Sequence, residues 1–437
     1  MRKEVLRVNY IKLALASLLV GLVSTLLADS LKRITGYYED AIFKKAEHFS
    51  LLFIILPSIG ITMIYFLRKY AFKNKQNKGI KEIYHTIEER RNELPAYKMP
   101  SHYINGFLTV IFGGSTGVEV STVVATATVG AVARKRTGVA KAHKTELICA
   151  GVAAGIATLF CSPLAGLLFS VEVIARKVSK TILLSCLCSV FVSWLFMFFI
   201  ENETIFKELS AAQWHIGALP MLIVVSALAG LLAVYFTKSV IFIKEKFGAI
   251  NNNFLRVNIG ALAVGIALLA FPQLYGDSYH AVPGLLHRID SQTFKFTLPF
   301  ALTLLCISLL KPLVASLTLG AGGDGGVFAP SIIGGAVFGM FVAIICNQYL
   351  HTQYSVLNFA LIGGGAMLSA AIHAPLTSLF LTCNLVPNGF ELFFPMLICC
   401  FIGKYSAKLV CSYTVYSYKG KKIKPKESPD PEMHLIG

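Results

Sequence analysis

Apolar stretches too short to cross a bilayer set the strongest constraint on this chain. Leu147–Phe160, Ile259–Phe271, Leu298–Leu310 and Phe393–Ile402 all fall below the about 20 residues of a spanning helix, and many stretches are cut by Gly or Pro. In hydrocarbon every backbone N–H and C=O needs an internal partner. Broken helices therefore persist only where protein encloses them or where they line a cavity. Longer stretches, among them Ile182–Ile200, Leu219–Tyr235, Val327–Cys346 and Phe359–Thr382, alternate with the short ones. Only 14% of the residues are charged, against roughly a quarter in a soluble protein, which excludes the soluble globular classes. The expected fold is an all-α polytopic membrane protein with broken, tilted helices.

The formal net charge of +17 gathers at the two ends and in a few loops. Arg2, Lys3 and Arg7 precede the first apolar stretch, and Lys419, Lys421, Lys422, Lys424 and Lys426 follow the last. By the positive-inside rule both termini belong in the cytoplasm of a multi-pass protein, with the cell membrane as the expected location. The basic runs Lys73–Lys98 and Arg134–Lys144 fit orientation and lipid headgroup contact, and they add a field that favours anions at that mouth. Nucleic acid is not an expected partner. The ten Cys lie mostly in apolar surroundings without metal-ligand spacing, and no nucleotide loop stands out, so no cofactor is expected. No cleavable signal peptide is evident. One membrane domain spans residues 1–410. After Cys411 the chain turns polar and basic, and residues 411–437 are expected to hold a final helix end and a short tail, with no separate regulatory domain.

Two motifs recur in order. Gly117-Val118-Glu119-Val120-Ser121 is followed about 45 residues later by Ser162-Pro163-Leu164-Ala165-Gly166. Gly326-Val327-Phe328-Ala329-Pro330 is followed about 48 residues later by Ala374-Pro375-Leu376-Thr377-Ser378. The repetition implies an internal duplication, with related halves at about 10–205 and 215–410. A dehydrated anion needs donors that hold it without trapping it, and helix N-termini supply these through free amides and a partial positive charge. Gly325 and Gly326 let the backbone approach, and Val327, Phe328 and Ala329 would offer amides to the anion. Glu119 puts an ionisable group inside a membrane-grade sequence, which is costly and usually functional. Burial and the helix N-terminus push its proton affinity in opposite directions. Ionised, its carboxylate would compete for the anion's place; protonated, it would leave. A helix-start glutamate and a packing glycine are the bland readings of the same two motifs.

On these residues the chain resembles the CLC chloride channel/transporter family, from about Gly79 to Tyr416. The family's GREGP is matched at Gly117 and Glu119, its GxFxP by Gly326-Val327-Phe328-Ala329-Pro330, and its later paired segments by Ser162–Glu172 and His373–Ser378. The resemblance implies a homodimer in a lipid bilayer with a pore in each subunit, chloride or a similar anion as substrate, and protons as the coupled species. It implies Glu119 as the gate and outer proton acceptor. Anion contacts are implied at the amides of Val327, Phe328 and Ala329, at the residues flanking the gate, Val118 and Val120, and at the hydroxyl of Tyr416.

Four departures from the family pattern matter. The GSGIP region aligns with Asn77-Lys78-Gly79-Ile80-Lys81, putting Lys78 where an anion-contacting Ser usually stands. Lys78 is either an anion-attracting cation or a solvated loop lysine. Val118, Val120 and Ser121 replace the Arg, Gly and Pro around the glutamate. Asp324 replaces a Pro and would repel anions unless it caps the helix or faces away. Where proton-coupled members often carry two adjacent acids, this chain has Glu172-Val173. Glu172 is then the nearest substitute for the inward proton site, or a helix carboxylate paired with Arg176 at i,i+4. The intact gating acid favours proton/anion exchange, with a passive anion channel on the same fold as the alternative, which Val173 favours. A membrane enzyme using Glu119 as acid or base lacks a second converging group, and a cation-coupled transporter using Asp324 and Glu119 sits poorly with amide-rich motifs.

Overall fold

The computed structural model describes residues 2–72, 75, 77–89, 93–136, 143–200, 204–291 and 296–418, with side chains from Asn9 onward. The basic tail beyond Tyr418 and the side chains of Arg2, Lys3 and Arg7 lie outside the described residues. The first half contains α1 (Arg2–His48), α2 (Leu52–Phe66), α3 (Ile80–Glu88), α4 (Lys98–Ile111), α5 (Glu119–Arg136), α6 (Lys144–Leu159), α7 (Pro163–Phe169) and α8 (Lys180–Phe199). The second contains α9 (Leu219–Gly248), α10 (Asn253–Ala270), α11 (Ala281–Asp290), α12 (Leu298–Ala321), α13 (Phe328–Tyr349), α14 (Val356–Ile372), α15 (Pro375–Cys383) and α16 (Phe393–Val410). No strand occurs among the described residues. Eight helical segments are long and apolar enough to span a bilayer, so the chain is a multi-pass integral membrane protein.

Three apolar stretches take a different form from their sequence limits. The first apolar stretch lies inside the much longer α1, which continues through Asp29 and Arg33, paired at i,i+4, 2.9 Å apart. Leu298–Leu310 runs on as α12 through Lys311 and Pro312 to Ala321, since the lysine's ammonium finds partners inside the protein. Phe359–Thr382 is two helices, broken where His373 turns left-handed and Pro375 opens α15.

The short α6 and α14 are enclosed, as the backbone argument requires, whereas the stretches Ile259–Phe271 and Phe393–Ile402 fall in segments long enough to span. Every residue of α6 except Thr145 is buried, and it packs on α1, α5 and α8. Equivalent neighbours surround α14, which packs on α9, α13 and α16. The pairing goes further: α1 lies on α8 as α9 lies on α16, and α4 lies on α5 as α12 lies on α13. Small residues allow the closest of these contacts. A methyl group at either Gly335 or Gly363 would overlap the other's carbonyl oxygen, so α13 and α14 touch backbone to backbone. Threonines inside α5 remain satisfied without leaving the helix: Thr126 and Thr128 donate to carbonyls four residues back at 2.8 and 2.7 Å.

The two faces of the bundle are distinguished by what meets there. On one, Lys81 of α3 and Glu245 of α9 both reach Tyr418. On the other, Glu39 near the end of α1 accepts from the Asp277 amide in the 271–280 segment between α10 and α11, at 3.0 Å. Between these faces the first residues of α5 and α13 meet.

Candidate functional site

The two glycine motifs interlock through one hydroxyl. Thr116 Oγ1 donates to the Gly326 carbonyl and accepts from the Gly326 amide, both at 3.0 Å. A methyl group on Gly325 would overlap Thr116, and one on Gly326 would overlap Val120 Cγ2. Glycine is thus required for the loops to come this close. A third helix start joins them. Gly79, at φ +62°, turns the chain into α3, and a Cβ there would stand 3.3 Å from Val120 Cγ1. Val120 is therefore a buried apolar plug among the beginnings of α3, α5 and α13.

Tyr416 reaches the same place. Its hydroxyl accepts the Val327 N–H at 3.4 Å and would lie 3.1 Å from a Cβ on Gly326. The bond is long, as expected of donors not fully engaged. Val118, Val327, Phe328 and Ala329 are all buried, with Val327 as the N-cap of α13 and Phe328 its first residue. Pro330 falls in the first turn, where its missing N–H costs no helical bond.

Glu119 opens α5 and is 3% exposed. Its carboxylate folds back over Gly117, where any Cβ would collide with both oxygens. Oε1 accepts from the Tyr279 hydroxyl at 2.9 Å, while Oε2 is buried with no hydrogen-bond partner. A carboxylate left half-satisfied at a helix N-terminus is held in place but poised to trade partners.

The remaining sequence candidates sit elsewhere. The Lys78 side chain is exposed, and its backbone N–H donates to Glu82 of α3. Glu172 lies in a π-helical turn after α7, and its Oε2 accepts from the amide and hydroxyl of Thr377 at 2.8 and 2.6 Å, capping α15. Pairing with Arg176 is not what forms: that guanidinium stands 3.9 Å from the Tyr84 ring centroid instead. Val173 is buried, and its carbonyl accepts from Tyr84 at 3.0 Å.

Asp324 faces away from the Val327 amide. Its carboxylate accepts from Asn77 at 2.6 Å and lies 3.1 Å from His102 Nδ1, while its own amide donates to Thr109 at 2.9 Å. Lys98 and Glu82, 2.9 Å apart, complete this polar cluster beside α3. Burial pushes the Glu82 carboxyl up, but His102, the Lys78 amide and Lys98 together outweigh it and hold the group below the ordinary range.

Sequence reading missed Thr116, Tyr279 and Lys311. Lys311 is fully buried in α12, and a lysine ending an apolar stretch was a usable signal. Tyr279 had none, because only the fold brings the 271–280 segment to Glu119. Among the described residues Glu39, Asp277 and His280 lie close enough to suggest a metal, but the ammonium of Lys311 lies within their electrostatic reach and disfavours a cation.

Comparisons with known proteins bear on the family and the fold. The family model described as voltage gated chloride channel matches residues 59–408. The H(+)/Cl(-) exchange transporters ClcA of Salmonella arizonae and Salmonella newport are each 26% identical, over 92% of this chain and 86% of theirs. Among solved structures, a slow cyanobacterial Cl-/H+ antiporter superposes with a TM-score of 0.78 at 20% identity, covering 93% of this chain and 96% of that one. A CLC-type fluoride/proton antiporter gives 0.73 at 21% identity, covering 92% and 96%. With a family model matched over most of its length, the chain belongs to the voltage gated chloride channel family.

Proposed function

We propose that this protein exchanges chloride-like anions for protons across the membrane, with Glu119 as gate and outer proton acceptor. The observation that carries the reading is the Glu119 carboxylate, buried and half-satisfied at the start of α5, whose next residue Val120 packs against Gly326 before α13 and whose charge bears on the Tyr416 hydroxyl. An anion entering from the α3 face would be held by the amides of Val327, Phe328 and Ala329, by the Tyr416 hydroxyl and by the backbone at Val118 and Val120. None of these carries a full charge, so the ion is bound without being trapped. Lys78, exposed at the beginning of α3, would raise the local anion concentration. Protonation of Glu119 removes its attraction to the helix ends and clears the path. Glu172 is the proposed inward proton group. The relatives named as H(+)/Cl(-) exchange transporters support coupling.

The α3 face is proposed as cytoplasmic, in the cell membrane, and the assembly as a homodimer with one pathway per subunit. The matched packing of α1–α8 and α9–α16 supports two related halves. A passive anion channel is the second reading, favoured by the buried Val173 where a proton-carrying acid would stand.

Purified protein in liposomes tests the assignment with a panel that includes chloride and fluoride. A pH gradient should shift the reversal potential, and Glu119→Gln should abolish that shift while anion flux persists. A reversal potential indifferent to pH in the unmodified protein selects the channel.

A further inference from the structure

The fully buried ammonium of Lys311 is the largest feature that anion binding leaves unexplained. Its three N–H donors match three acceptors: Ser115 Oγ at 2.9 Å, the Gly276 carbonyl at 2.9 Å and Ser278 Oγ at 2.7 Å. Those acceptors are themselves fixed. Ser115 Oγ donates to the Leu274 carbonyl at 2.7 Å and Ser278 Oγ to the Tyr275 carbonyl at 3.0 Å. Tyr275 in turn donates to the Ile111 carbonyl at 2.6 Å. Lys311 is thus fully engaged by protein and cannot serve as an anion ligand.

What it does is join two segments. Ser115 belongs to the loop that leads into Glu119, and Gly276 and Ser278 belong to the segment that ends in Tyr279. Asp277 secures the same segment from within, its Oδ1 accepting the Tyr279 amide at 2.9 Å, while its own amide donates to Glu39. Gate and tyrosine therefore hang from one ammonium, which sets the distance between them. The groups that bear electrostatically on Glu119 are Tyr279 and Asp277 of the segment, Lys311 of α12 and Tyr416 beside α13.

We propose that Tyr279 is the latch of the gate, a positioning residue whose hydroxyl holds the Glu119 carboxylate down, and that Lys311 anchors the latch. This rests on the reading of Glu119 as the gate. An O–H donor to a carboxylate favours the ionised form and loses most of its strength when the acceptor is protonated. The latch therefore delays protonation and fastens only the charged gate. Asp277 acts in the opposite sense, since a negative charge nearby eases protonation of Glu119. Its own carboxyl is pushed up by burial, so the opposition operates only where Asp277 is ionised.

The experiment measures anion flux in liposomes against pH on the face that carries the 271–280 segment. Tyr279→Phe keeps the ring and removes the donor. Its flux–pH midpoint should move to higher pH by about one unit, with the thermal unfolding midpoint close to that of the unmodified protein. In a Glu119→Gln background the same substitution should change nothing. Asp277→Asn, which keeps an acceptor for the Tyr279 amide, should move the midpoint to lower pH and gives a second reading if Tyr279→Phe fails to fold. A Tyr279→Phe or Asp277→Asn profile that overlays the unmodified one, while Glu119→Gln removes the pH dependence, overturns the latch and leaves the gate standing. A Glu119→Gln protein with the unmodified pH profile overturns both.

Discussion

Position 173 is where a single side chain bears on the proposed proton route. Val173 cannot carry a proton, and it is packed in the core with its carbonyl already bonded to Tyr84. The neighbouring carboxylate of Glu172 is occupied in capping α15, a task an amide oxygen can take over. Glu172→Gln should therefore fold normally and pass anions at the usual rate, while proton flux in the same liposomes falls several-fold; an undiminished proton flux would remove Glu172 from the pathway. The residues legible from sequence were those that break a rule of the membrane, such as Glu119 in an apolar stretch. Val120 was legible only as a replacement for glycine. That its branched side chain fills the space between Gly79 and Gly326 depends on contacts from three distant parts of the chain.

Among the elements, α3 shows most clearly how charge organises this protein. It is short, with Glu82 on its first turn bound to Lys98 of α4 and to the Lys78 amide. The carboxyl lies below its ordinary range, so its contribution is present above the unfolded pKa and is lost as pH falls through the lower, folded one. Glu82→Gln should lower stability at neutral pH by about 1–3 kcal/mol. Thermal unfolding in detergent should also show a flatter acid limb for this variant below about pH 4. A curve parallel to that of the unmodified protein at every pH would show that α3 is held by packing alone. The short α6 was anticipated from an apolar stretch below spanning length. The limits of α1, α10, α12 and α16 were not: Ile259–Phe271, Leu298–Leu310 and Phe393–Ile402 all fall in segments long enough to span, and α12 continues past its apolar stretch through the satisfied ammonium of Lys311. Asp324 illustrates the same limit: its sequence position borders the proposed anion site, but its side chain turns to His102 and Asn77.

For the whole molecule, the two sets of eight helices repeat the same neighbour relations around α6 and α14, the packing that the proposed duplication would produce. What no periodicity could supply was how the sets are joined at their centre. Thr116 makes that join, with two bonds to the backbone of Gly326. Thr116→Val would leave a buried amide and carbonyl without partners, at a cost of about 2–3 kcal/mol. Thermal unfolding should report that loss together with slowed anion flux, whereas Thr116→Ser should behave as the unmodified protein does; equal behaviour of both variants would mean that the join is not needed.

A clasp of this kind limits the sort of machine the protein can be. Rocking the two helical sets apart beside the proposed anion site would break the Thr116 bonds to Gly326 together with the Ser115–Lys311 and Glu172–Thr377 contacts that also cross between them. Alternation of access must then come from something as small as a carboxylate turning about its own bonds, and throughput would be governed by side-chain rotation and proton arrival rather than by the travel of domains.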